Sequence, residues 1–265
     1  MNAPDYVHGH HASVMRSHTW RTAENSAGYL LPHLESGMDV LDVGCGPGTI
    51  TVDLASRVPG GRVIGIDTSA DVLGKAADLA VAQGVENVQL EQADVMALPY
   101  SAESFDVVHA HQVLQHMADP VGALREMRRV LRPGGLLAVR DADYGAMRWF
   151  PDSDGLDRWR TLYQQLTSHH HSDAGRRLLG WTQEAGFADV TPGAGVWCFA
   201  EPDDRDWWAA SWADRVQHSS FARHAIDGGH ATEAELAELA AAWHDWAARD
   251  EAWFVVVHGE VLARR

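Results

Sequence analysis

The sequence predicts an α/β protein built on a mostly parallel sheet, and three observations carry that prediction. Short apolar runs alternate with segments of helical periodicity from residue 37 to about 140. A glycine-rich turn joins the first run to the first helix. Acidic residues then recur at the ends of successive runs. Apolar strands alternating with helices imply a parallel sheet covered on both faces, with ligands bound outside the carboxyl ends of its strands.

Each element has a local reason. "MDVLDVG" (38–44) is a buried strand stopped by glycine, and "TITVDLASRV" (49–58) places Ile50, Leu54 and Val58 at helical spacing. "GRVIGID" (61–67) is a second strand. "SADVLGKAADLAVAQG" (69–84) opens on a Ser/Asp start and closes on glycine, the two ends of a helix. "NVQLEQAD" (87–94) and "SFDVVHAH" (104–111) read as strands, "DPVGALREMRRVL" (119–131) as an amphipathic helix, and "GGLLAVRDAD" (134–143) as a strand again. Beyond 145 the pattern changes. Helices lead to a strand near 188–199, 203–250 holds two or three Ala- and Trp-rich helices, and "AWFVVVHGEVLARR" (252–265) is a closing strand. Residues 1–36 read as a helical lid, 37–145 as the α/β core, 146–187 as a cap with a helix, and 188–265 as the last strands interrupted by the helical insertion.

Composition narrows the function. The 265 residues carry 21 Lys+Arg against 37 Asp+Glu, a net charge of −16. Such a surface repels phosphate backbones, so nucleic acid is not expected as a partner. No apolar run approaches the roughly 20 residues of a membrane span, and residues 1–11 lack the apolar core of a signal peptide. Cys45 and Cys198 make no disulfide framework. A cytoplasmic protein acting on a small molecule is expected, with oligomeric state open.

"LDVGCGPGT" (41–49) supplies Gly44, Gly46 and Gly48, which let backbone turn tightly beside a ligand. The dinucleotide fingerprint G-x-G-x-x-G/A fits poorly, because Thr49 takes its sixth position. Asp67 ends the second strand, where a carboxylate accepts ribose hydroxyls, and Asp94 ends the third. In this order, "VLDVGCGPGT", "GID", "ADVMALPY", "SFDVVHAHQVLQHMADP" and "LREMRRVLRPGG" resemble the class I S-adenosylmethionine-dependent methyltransferases, in the branch of the ubiquinone/menaquinone-biosynthesis C-methyltransferases. The resemblance covers residues 38–140, and the closing "WFVVVHGEVLARR" is similar to the last strand of that fold. It implies a Rossmann-like, seven-stranded, mostly parallel sheet with an antiparallel last strand and a helical cover. It also implies S-adenosylmethionine as cofactor. Gly44, Cys45, Gly46 and Gly48 would run along its methionine and ribose, and Asp42 would meet the loop or the methionine amine. Asp67 would take the ribose hydroxyls with Thr68 beside it, Asp94 and Val95 the adenine, and His111 and Gln112 the region of the sulfonium.

His109, His111 and His116 invite a metal reading, but their spacing is not that of a zinc helix and no metal is expected. His109 reads as scaffold and His116 as loop support. If the acceptor must lose a proton, His18, His111 and His116 are the candidate bases. Arg16, Thr19 and Trp20 on the lid, and Asp143 and Tyr144 after the fifth strand, are candidates for cofactor or substrate contact. The expected reaction is in-line methyl transfer. An NAD-linked oxidoreductase and a non-catalytic cofactor-binding protein on the same fold are the alternatives.

Overall fold

A computed structural model describes residues 20–168 and 170–265. The described chain divides into two compact units: residues 20–142, 173–195 and 258–265 form one, and residues 143–172 and 196–257 the other. Arg16, His18 and Thr19 lie outside the described residues.

In the first unit, β1 (Asp39–Val43), β2 (Arg62–Asp67), β3 (Val88–Gln92), β4 (Phe105–His111) and β5 (Leu131–Ala142) lie in the order β3-β2-β1-β4-β5, all parallel. The closing strand β8 (Trp253–Arg264) runs antiparallel to β5, pairing Leu136 with Arg264 and Ala142 with His258. β7 (Asp189–Phe199) pairs with β8. Parallel neighbours need crossovers, supplied by α2 (Thr49–Arg57), α3 (Ala70–Gln83) and α4 (Pro120–Val130). Asp119 caps α4 by accepting the Gly122 amide at 2.8 Å, with Pro120 next in the chain, where a missing N–H costs nothing.

The two sheet faces differ. One packs Leu41, Val43, Ile64, Val108, Leu137 and Val139 against α4 and against Leu178 of α6 (Ala174–Glu184). On the other, the register lines up Val40, Val107 and Leu136, which lie in a cluster with Ile50 and Leu54 of α2 and Ala23 and Ala27 of α1 (Ala23–Ala27). Further along the same face come Asp42 beside His109, then His111, Arg140 and Glu260 in one row, then His258. That face therefore turns from hydrocarbon to hydrogen-bonding groups as the strands near their carboxyl ends. All of these polar groups but the half-buried Glu260 are nevertheless buried.

Among the described residues of the expected helical stretch 1–36, α1 spans five residues and is followed by a 3-10 turn at Leu31–His33. Pro32 lacks the N–H a continuing helix needs. The second unit adds a strand that the sequence pattern does not display, β6 (Arg148–Phe150), paired antiparallel with Phe254 and its neighbours in β8. Three residues are too few to show a period. Around it stand α5 (Asp154–Leu166), α7 (Pro202–His218), α8 (Ser220–Asp227) and α9 (Glu233–Ala247). Their core is aromatic: Trp159 meets Trp212 at 4.5 Å and Trp243 at 4.9 Å, both edge-to-face. Edge-to-face rings at these distances make a solid core, and all three indoles are fully buried.

α6 reaches β5 at a glycine. A Cβ on Gly175 would lie 2.7 Å from the Asp141 carbonyl oxygen and 2.7 Å from the Gly259 nitrogen. Gly175→Ala is expected to push α6 away and destabilise the protein by about 1–3 kcal/mol. Urea unfolding of the two proteins checks this, and an unchanged midpoint would contradict the close approach.

Candidate active site

The turn after β1 is shaped by glycine in the left-handed region: φ is 66° at Gly44, 55° at Gly46 and 83° at Gly48. L-side chains pay for that conformation at each step. Two of the glycines are also hemmed in. A Cβ would strike Val113 Cγ2 at 2.5 Å from Gly44 and Ala76 Cβ at 2.7 Å from Gly48. A Cβ on Gly46 would meet no atom within 4 Å among the described residues, so the backbone there is open toward them. Cys45 is buried beside it, its amide donating to the Ile66 carbonyl at 2.9 Å. Burial, then the nearby Asp42 and Asp67 carboxylates, hold its thiol well above the usual range.

Asp67, the last residue of β2, lies against this turn. One carboxylate oxygen accepts the Gly46 amide at 3.2 Å and the other the Ser69 amide at 3.0 Å. Each oxygen keeps a further lone pair. Thr68 is exposed, and its carbonyl accepts from Gln92 at 2.8 Å. Asp94 is exposed and caps the short turn Val95–Ala97 through the Met96 amide at 2.9 Å, while Val95 is buried beneath. Asp42 is directed elsewhere. Its oxygens accept Thr51 Oγ1 at 2.6 Å and bond His109 Nδ1 at 2.7 Å, both fully inside the protein.

Beyond β4 the chain makes a second left-handed step at a non-glycine residue, Gln112, with φ 55°. Such outliers concentrate at functional sites because neighbours must hold them. Here the Gln112 amide donates to the Arg140 carbonyl at 2.7 Å. Its side-chain oxygen accepts from Arg21 at 2.8 Å, which leaves Nε2 as the donor to His258 Nε2 at 2.9 Å. His258 in turn stacks on His111, with ring centroids 5.9 Å apart. Burial, then the charges of Arg21 and Arg140, drive the His111 imidazole well below its usual range, so it stays neutral near pH 7. His116 Nε2 lies 3.1 Å from Gln115 Nε2 in the following turn. The three histidines of this stretch thus have three separate partners, and the described residues hold no group of three or more His, Cys, Asp or Glu able to bind a metal.

Several members of this site were not picked out as candidates in the sequence: Arg21, Tyr29, Arg140, Asp141, His258 and Glu260. Arg140 is buried and donates to Glu260 at 2.9 Å. Asp141 is fully buried, and one of its oxygens accepts the Gln115 amide at 3.3 Å. Burial pushes its carboxyl up to about 7, against the pull of the Gln115 and Leu114 amides and of Arg140 and Arg21. The clue was present: charges inside the apolar strands "LLAVRDA" and "VVVHGEV" cannot be ordinary core residues.

Three other candidates have local partners of their own. Trp20 is half-buried, its carbonyl accepting Asn25 Nδ2 at 3.1 Å. Asp143 and Tyr144 belong to the second unit. There Asp143 accepts the Ala146 amide at 3.1 Å, and Tyr144 stacks on Tyr163 at 4.0 Å.

Residues 34–198 match the model of a methyltransferase domain. The chain is similar to an uncharacterised methyltransferase of Schizosaccharomyces pombe, 32% identical with 98% of this chain and 96% of that one covered. Among solved structures, the YcgJ protein of Bacillus subtilis is 18% identical with a TM-score of 0.59, covering 90% of this chain and 97% of its own. A phosphoethanolamine N-methyltransferase of Haemonchus contortus, solved with S-adenosylhomocysteine, is 18% identical with a TM-score of 0.54, covering 88% and 49%. At these identities the two structures speak for the fold.

The Asp141 carboxyl makes stability depend on pH. Its folded value of about 7 lies above the roughly 4 of an unfolded aspartate. The folded protein therefore binds the extra proton between these values, and this group's contribution falls as pH rises through the window. Asp141→Asn lacks that proton. Its stability relative to the parent is expected to rise from about pH 4 to pH 7, by on the order of 1–3 kcal/mol, then level off. Denaturant melts at several pH values check this, and a difference independent of pH would contradict it.

Proposed function

The chain belongs to the methyltransferase-domain family and is an S-adenosylmethionine-dependent methyltransferase, and we propose that it methylates a small molecule at the carboxyl edge of this sheet. The observation that carries the reading is the pairing of Gly46 with Asp67. An open backbone position lies 3.2 Å from a carboxylate whose remaining lone pairs can accept two hydroxyls. That combination fits an adenosyl group, and Thr49 at the sixth position of the dinucleotide fingerprint disfavours the NAD-linked alternative.

When bound, the cofactor supplies a methyl group already activated on sulfur. The protein's own residues then have to bind, orient and exclude water. In this reading Gly44, Cys45, Gly46 and Gly48 form the floor, with Asp67 and Thr68 at the ribose and Asp94 and Val95 at the adenine. His111 and Gln112 line the end where transfer occurs. Asp42 serves one step back, fixing the turn through Thr51 and β4 through His109. His111, being neutral and depressed in basicity, suits a hydrogen-bonding wall better than a proton acceptor. His116 is tied to Gln115 and supports the turn. Arg16, His18 and Thr19 are proposed as lid contacts, with Trp20 walling the site and Asp143 and Tyr144 facing the acceptor. The motif order supports kinship with the ubiquinone/menaquinone C-methyltransferase-like branch. The acidic charge of −16 supports a small-molecule acceptor and cytoplasmic action over nucleic acid. No helix of the described residues is long and apolar enough to cross a membrane.

Asp67→Ala removes the ribose acceptor and is expected to weaken S-adenosylmethionine binding by about tenfold or more, the loss of one to two charge-assisted hydrogen bonds. Isothermal titration checks this, and unchanged affinity would contradict the ribose role.

A further inference from the structure

Gln112 stands between two partners that dictate which way its amide faces. A guanidinium has only N–H donors, so the atom 2.8 Å from Arg21 Nη2 is the Gln112 carbonyl oxygen. The amide nitrogen is therefore the one turned to His258 Nε2 at 2.9 Å. That ring nitrogen must accept, so the His258 imidazole is neutral and carries its proton on Nδ1. His258 is fully buried on β8, opposite Ala142 of β5, and its ring stacks on His111. The two hydrogen bonds join three separate pieces of sequence: the stretch before α1, the turn after β4, and β8. The same turn touches the glycine loop. Val113, next to Gln112, lies so close to Gly44 that a Cβ there would strike its Cγ2 at 2.5 Å.

We propose that His258 is a positioning residue of the transfer site: its neutral imidazole fixes the Gln112 side chain beside His111 and, through Gln112, holds Arg21 at the carboxyl edge of the sheet. This rests on the reading given above, in which Gln112 lines the cofactor. His258 acts through Gln112 and touches no reacting atom. A protonated imidazole has two N–H donors and no acceptor. With Gln112 as it stands, the new N–H would meet the amide NH2. With the amide turned over, the carbonyl would accept from His258, but the NH2 would then meet the Arg21 guanidinium. One bond is lost either way, and the left-handed backbone of Gln112, at φ 55°, loses part of what holds it. The titratable and charged groups around the stacked pair are His109 on β4, Arg140 on β5, Arg21 before α1, and Glu260 on β8, which is bonded to Arg140.

The sign follows from which form binds. The neutral imidazole holds the site, so His258's contribution to affinity is present at high pH and is lost as pH falls. His258→Gln places an amide oxygen where Nε2 stood, an acceptor that does not titrate, whereas His258→Phe keeps a ring and removes the acceptor. Isothermal titration of S-adenosylmethionine into the full chain, at several pH values with the fold checked by circular dichroism, measures the three proteins. The ratio of parent to His258→Gln affinity cancels whatever else titrates, the cofactor's amine and Asp141 included. That ratio is expected to fall about tenfold from about pH 8 to about pH 5.5. At about pH 8, His258→Gln should bind as the parent does and His258→Phe about tenfold more weakly, the loss of one hydrogen bond to the site. A ratio that ignores pH, or a His258→Phe protein that binds like the parent, would overturn the proposal. Should the His258 variants fail to fold, Gln112→Glu decides. Its carboxylate accepts from Arg21 and from a protonated His258, so its affinity relative to the parent should rise on acidification, and a constant ratio would overturn the proposal. If the parent binds no S-adenosylmethionine at any pH, the cofactor reading itself fails, which is a different result from binding that is indifferent to His258.

Discussion

The Asp42 carboxylate is the joint on which the carboxyl edge of this sheet depends. It sits at 2% exposure and is held by Thr51 at 2.6 Å and His109 at 2.7 Å. Those two bonds tie β1 to the helix that follows it and to the neighbouring strand β4. The Gly44–Gly48 turn lies between the tied points, so its left-handed path is clamped from both sides. Removing one partner would leave a buried charge uncompensated, a loss of about 3–5 kcal/mol. The same residue type exposed at a loop would contribute far less.

From that joint the polar character of the face spreads across β4, β5 and β8. Each addition is made tolerable by a partner on another strand or at its end. Arg140 has Glu260 in the adjoining register position, and His258 has Gln112. Gln112 can occupy a left-handed backbone position only because both ends of its amide and its own N–H are engaged. A layer of this kind is rigid when satisfied and costly when disturbed. It suits a site whose task is to hold a reactive cofactor in one pose rather than to carry out proton chemistry on a bound substrate. Asp141, on the other face, is the exception, since among the described residues no cationic side chain is hydrogen-bonded to it.

The core fold was legible because its strands are buried on both faces and its helices carry clear start and stop residues. β1, β2 and β4 could be read from "VLDV", "VIGI" and "DVVHAH" for this reason. The glycine turn and Asp67 were legible because backbone geometry and a strand-end carboxylate are written in single residues. What the sequence did not reveal depends on register. Nothing in "VVVHGEV" says that His258 lands opposite Ala142, or that Gln112, 146 residues earlier, reaches it. The partner of His109 was likewise hidden, because Asp42 lies on another strand. β6 is too short to show alternation. The place of the tryptophans of 206–215 was hidden as well: Trp208 and Trp212 are buried and meet edge-to-face, and Trp212 meets Trp159 in the same way.

The most direct test of the account is a crystal structure of the protein with S-adenosylhomocysteine. The account predicts the ribose hydroxyls within hydrogen-bond distance of the Asp67 carboxylate and the ligand running along Gly46, with the glycine turn unmoved. Ligand density at another place on the sheet, or no ligand at saturating concentration, would contradict it.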